Sequence, residues 1–192
     1  MSFIVKKILK SIMVLTSAVV LSSMFFIIDV KADYFGGSRS YQAAPYAWYH
    51  SSVYSYNYDD NYDAGRGYWN DHFGVNIKKT YDTGTYIDRY YVGNTSTSGL
   101  LGRIQPINGN SEVASVNEYW YRVNVFIYDN QMRAQSSYNN SHVSMNAAHE
   151  IGHSIKMAHA SSAYYSVMPQ GWRTLPYNIT SYDSGEIDAK WY

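Results

Sequence analysis

The chain contains no cysteine. Disulfide bridges are therefore excluded, and so is a cysteine thiolate that could block a metal ion before activation. An exported domain without disulfides must be held by its apolar core and by any metal it binds. Basic runs are missing once the first 32 residues are set aside, which argues against a nucleic-acid partner. There is no internal repeat and no low-complexity linker, so the 192 residues accommodate one domain and hardly two.

The N-terminus has a different character. Lys6, Lys7 and Lys10 precede an uncharged, mostly apolar run from Ser11 to Ile28, and Val30-Lys31-Ala32 places small or apolar residues where a signal peptidase reads. This pattern predicts a secretory signal cleaved after Ala32. An uncleaved membrane anchor is the competing reading, because the run approaches spanning length. Residues 33–192 are then expected to be secreted, free of stable membrane association and monomeric. Removing four lysines and one aspartate leaves 11 basic and 14 acidic side chains, a net charge of −3. Tyrosine is in excess, with 22 copies. Its amphipathic ring suits a polypeptide-binding groove or a glycan-contacting surface equally, so it selects no function.

The stretch 33–45 is Gly/Ser-rich without periodicity and reads as a loose N-terminal tail or a very short pro-segment. Tyr54, Tyr58, Tyr62 and Trp69 share helical spacing, with Gly74 as a stop. Val75 to Gly93 reads as strand, turn, strand, the turn being Asp82-Thr83-Gly84. Gly99 to Ile104 is a short apolar segment expected as another strand. Tyr121 to Tyr128 alternates Val123, Val125 and Ile127 with polar and aromatic residues, a clear strand pattern. Asn139, Asn140 and Ser141 can cap a helix from about His142 to Ile155. Asp183 and Glu186 open a closing helix. The order predicts a single α+β domain.

Chemistry concentrates in His149-Glu150-Ile151-Gly152-His153. Residues four apart lie on one helix face, so His149 and His153 can grip one ion. They lie roughly opposite the Ala147/Ile151/Ile155 stripe, which leaves that stripe for the core. Glu150, beside the first ligand, can reach a metal-bound water and serve as general base. A catalytic zinc site commonly has three protein ligands and an open position. His159 lies six residues beyond His153, too far to continue on the same face, so the chain must turn before it. Glu186 is the alternative third ligand, as in the gluzincin clan, though a place in the first turn of the closing helix suits it too.

The string His149-Glu150-Ile151-Gly152-His153-Ser154-Ile155-Lys156-Met157-Ala158-His159 resembles the HExxHxxGxxH motif of metzincin zinc peptidases. Ser166-Val167-Met168-Pro169 is similar in placement to that clan's Met-turn. The resemblance is specific over His149 to Met168, and its size and closing helix are most like a minimal matrixin-type domain. It implies a zincin-like fold: a twisted, mostly parallel sheet with an antiparallel edge strand, an active-site helix and a C-terminal helix. It implies one catalytic zinc on His149, His153 and His159, with Met168 beneath it. It also implies an endopeptidase in which a zinc-activated water attacks the peptide bond and Glu150 carries the proton. A polypeptide substrate would then lie along an edge strand, for which Gly99, Leu100, Leu101 and Gly102 are the candidates, with Trp172 to Tyr177 as the opposite wall.

One departure stands out. The family's turn glycine is Lys156 here, and a lysine in the same left-handed backbone costs about 1–2 kcal/mol. Either the strain is carried or the turn differs. No tyrosine follows Met168 closely, so no tyrosine ligand is assigned, and Tyr164 and Tyr165 read as packing residues. His142 reads as solvated, and His50 and His72 lack spacing for a second zinc. Asp59, Asn61 and Asp63 mimic the start of a calcium loop, but Ala64 and Asn70 stand where glycine and a bidentate glutamate are required, so calcium has little support. The rival function is an exported binding module with a structural or inactive zinc site. Glu150 discriminates, since a structural site has no use for it.

Overall fold

The computed structural model describes residues 33–192. The expected signal segment and its cleavage position lie outside the described residues. Along Arg122–Tyr128 (β6), Val123, Val125 and Ile127 alternate with Arg122, Asn124 and Phe126. The first three are fully buried. Each contributes roughly 1.5–3 kcal/mol, so the two-residue period decides which face packs. Around β6 a six-stranded sheet forms from β1 (Tyr46–Tyr49), β2 (Lys78–Thr80), β3 (Asp88–Gly93), β4 (Gly102–Asn108) and β5 (Ser111–Glu112). Its order is β2-β1-β3-β6-β4-β5. β2, β1, β3 and β6 run parallel, while β4 runs antiparallel to β6 and β5 antiparallel to β4. The fold is therefore a mixed α/β domain with a mostly parallel sheet and an antiparallel edge.

Five helices accompany the sheet among the described residues: α1 (Ser51–Ser55), α2 (Asp59–Asn70), α3 (Asp129–Arg133), α4 (Asn140–Ser154) and α5 (Ser181–Trp191). Asn139 caps α4 by accepting from His142 N at 3.1 Å. Ala147 and Ile151 of this helix, with Ile155 just beyond it, are fully buried, as their stripe predicts. α2 packs against α4 at Gly65, where an added Cβ would lie 2.8 Å from Ala148 N. Trp69 Nε1 donates to the carbonyl of Ala148 at 2.7 Å, which ties the two helices at the turn that carries His149. No helix among the described residues is long and apolar enough to cross a membrane.

The structure corrects two expectations and adds a strand. The helix over Tyr54 to Trp69 is broken into α1 and α2 at Asn57, whose φ is +59°. The strand, turn, strand expected over Val75 to Gly93 is present as β2 and β3, with β1 between them in the sheet. β1 itself was not anticipated; its crossover to β2 through α1 and α2 is the connection parallel neighbours need. The segment 33–45 is docked and not loose. Tyr34 bridges Met157, Arg39 bridges Trp120, and Arg39 and Ala43 are only 3% and 2% exposed. The Arg39 guanidinium makes two bonds to the buried Asp88 carboxylate, at 3.0 and 2.9 Å, and also donates to the carbonyl of Ser154 at the end of α4.

Candidate metal centre

His149, Glu150 and His153 come from the last two turns of α4. The helix ends at Ser154, and Lys156 turns the chain with φ +79°. A left-handed residue here is what brings His159 back toward the helix. One ligand nitrogen from each of His149, His153 and His159 lies within 4.8 Å of the others. His153 Nε2 is 3.1 Å from His149 Nε2 and 3.2 Å from His159 Nε2.

The hydrogen-bond pattern says what these nitrogens can do. His149 Nδ1 lies 2.8 Å from the carbonyl oxygen of Val167, and His153 Nδ1 2.8 Å from that of Met157. A carbonyl only accepts, so both Nδ1 atoms carry the hydrogen and both Nε2 atoms are bare in the neutral rings. Burial pulls His149 down to about 4 and His153 well below its ordinary value, and lowers His159 as well. Two neutral imidazoles therefore aim lone pairs at each other, an arrangement that repels itself unless a cation sits there, and the Nε2 of His159 faces the same point. Nitrogens bound tetrahedrally at about 2.0–2.1 Å stand roughly 3.3–3.4 Å apart, close to the spacing found. These three histidines are thus placed to hold a metal ion, and their donor type and spacing fit zinc.

The ring orientations are fixed from below. Asp183, on α5 and 1% exposed, accepts from Val167 N at 3.0 Å, from the Ser166 hydroxyl, and from Tyr68. Val167 then presents its carbonyl to His149. Met168, 3% exposed, packs against the helix at Gly152, where an added Cβ would lie 2.4 Å from its Sδ. The closing helix thus orients a ligand through the turn that carries Met168. Glu186 is not among the converging donors. It accepts from Asp33 N at 2.6 Å.

Glu150 is 5% exposed and its Oε2 has no hydrogen-bond partner. Burial pushes its pKa up to about 8. A buried carboxyl without a partner is costly unless something outside the chain engages it. Glu150 and all three histidines line a cleft of about 580 Å³. Gly99, Leu100, Leu101 and Gly102 line one side of it, although the strand proper begins at Gly102. The other wall is Gln170 to Arg173, so the expected wall from Trp172 to Tyr177 is met only at its start. His142 is half-buried. It stacks on Trp172 with ring centroids 4.4 Å apart and lines the same cleft. Tyr164 stacks on Tyr182 at 4.2 Å, while Tyr165 is 74% exposed.

The remaining candidates have structural partners. Asp59, Asn61 and Asp63 lie within α2. Asn61 bonds Asn140 and Ser144 of α4, and Asp63 pairs with Arg66. His50 caps α1, and His72 pairs with Asp188 at 3.1 Å. Two features could not be read from sequence alone: the close approach of Gly102 to Glu150, and the fully buried side chain of Lys156. No protein-family model and no curated protein matches this chain.

Proposed function

We propose that the protein is a zinc-dependent endopeptidase acting after export. The observation that carries this reading is one arrangement: three imidazole nitrogens converge beside a buried carboxyl with an unpartnered oxygen, at the floor of an open cleft. His149, His153 and His159 would hold the ion. When bound, zinc supplies a Lewis acid that lowers the pKa of water toward 7 and polarises a carbonyl.

The chain's own groups do the rest. Glu150 receives a proton from the attacking water at its carboxylate and returns it to the leaving amine. The outer edge of β4 carries β5 only at Ile107 and Asn108, which leaves backbone from Gly102 onward able to pair with an extended peptide. Met168 supports the ligand helix through Gly152 and touches no reacting atom. A binding module with a purely structural ion has no need for an unpartnered carboxyl facing the cleft, so that rival is disfavoured.

The test is metal analysis of residues 33–192 and of its His159→Ala variant after dialysis, with hydrolysis of an unfolded-protein mixture. The parent should retain one zinc per chain and cleave, and the variant should lose both properties. Absence of zinc from the parent would refute the reading.

A further inference from the structure

We propose that Lys156 is a positioning residue for the metal centre: its ammonium, seated on three backbone carbonyls, holds the left-handed turn that aims His153 and His159. The inference rests on reading those histidines as a zinc site. Lys156 is completely buried, an unusual state for a lysine. Its Nζ donates to the carbonyls of Gly36 at 3.0 Å, Val116 at 3.1 Å and Glu118 at 2.7 Å, and lies 3.3 Å from the centre of the Trp120 ring. All three ammonium hydrogens have acceptors, and the indole face takes the remaining side. Such a set of acceptors suits the amine head of a long, flexible side chain.

The backbone of the same residue connects to the ligands. Lys156 N donates to the carbonyl of His153 at 3.1 Å. Its carbonyl accepts from Phe35 N at 2.7 Å, and Phe35 stacks on the His153 ring at 5.6 Å. The next residue, Met157, supplies the carbonyl that orients His153 Nδ1. Ala158 N donates to Asp33 O at 2.8 Å, immediately before His159. Segment 33–39, loop 116–120 and the turn thus meet on one side chain. A non-glycine residue at φ +79° would relax toward ordinary backbone if that side chain were free, and Met157 and His159 would move with it. The anchored lysine does by tethering what a glycine would do by conformational freedom.

The experiment compares parent, Lys156→Gly and Lys156→Met for zinc affinity, by competition with a chromophoric chelator, and for the visible spectrum of the cobalt-substituted site. Lys156→Gly relieves the backbone and removes only the tether, and Lys156→Met keeps the stem without donors. Circular dichroism confirms folding. The expected result is a zinc dissociation constant raised about 10- to 100-fold with an altered cobalt spectrum in Lys156→Met, the range found when groups that orient ligands are removed, and an affinity close to the parent's in Lys156→Gly, whose backbone takes the turn without strain. A Lys156→Met affinity within about twofold of the parent with an unchanged spectrum, or a loss in Lys156→Gly as large as about 10-fold, would overturn the inference while leaving the zinc site standing. A parent that takes up no zinc would refute the site itself.

Discussion

A Cβ placed on Gly102 would lie 2.6 Å from Oε1 of Glu150 and 2.7 Å from the carbonyl oxygen of Phe126. The first residue of the edge strand and the proposed general base are therefore in close contact, and only a residue without a side chain fits between them and β6. Gly102→Ala must push Glu150 or the strand aside. Displacing a proton-transfer group is expected to cost roughly 100-fold or more in kcat/KM. Zinc content, measured on the same sample, should be unchanged, because the three histidines do not touch Gly102. Parent-like cleavage by the alanine variant would show that Glu150 is not held where the proposed chemistry needs it.

The metal-free protein should carry the signature of a buried carboxyl. Burial lifts Glu150 from 4.5 to about 8, so the unfolded chain loses its proton first as pH rises. The stability this group contributes is fully present below about pH 4.5 and is lost as pH climbs through 8. Glu150→Gln removes the dependence. In chelator, the unfolding free energy of the variant relative to the parent should rise by about 5 kcal/mol across that window if the whole shift is expressed. Denaturant melts at four pH values measure it, and a flat difference would contradict the burial argument.

Arg39→Ala tests whether the docked N-terminal segment matters to the fold. Arg39 and Asp88 are both fully buried at their side chains and 2.9 Å apart. Burial raises the Asp88 carboxyl while Arg39 lowers it, so removing the guanidinium leaves a buried acid without its main partner. Loss of one partner of such a pair costs roughly 3–5 kcal/mol. For a domain of this size that corresponds to a melting temperature about 10 °C lower or more. A shift under about 2 °C would mean the segment is an appendage after all.

Gly152→Ala probes the contact beneath the ligands. The new methyl would meet Met168 Sδ at 2.4 Å and Trp69 Cζ2 at 2.6 Å. Overpacking of this kind costs about 1–3 kcal/mol. Because Val167 beside Met168 orients His149, zinc affinity should fall with stability. A variant less stable but equal in zinc affinity would separate the Met168 turn from the metal site.

The parts legible in the sequence are those set by local spacing. His149, Glu150 and His153 follow from helical geometry, and the Val123/Val125/Ile127 face follows from strand alternation. The cap at Asn139 is a property of one residue type. What stayed hidden depends on partners distant in the chain. Nothing near Arg39 announces Asp88, 49 residues away, so a Gly/Ser-rich segment looked loose. β1 sits between β2 and β3, a placement that no local pattern encodes. At Lys156 the question was whether a lysine keeps a glycine's backbone. The answer lay in the carbonyls of Gly36, Val116 and Glu118, which local sequence does not reveal. His142 was placed near a helix start correctly, but its stacking on Trp172 is a tertiary contact.

The central claim is that the histidine cluster is catalytic and not merely structural. Residues 33–192 and the Glu150→Ala variant, each assayed for bound zinc and for chelator-sensitive cleavage of an unfolded-protein mixture, test it most directly. The account predicts one zinc in both proteins and cleavage by the parent alone. Zinc in both with cleavage by neither, or equal cleavage by both, would contradict it.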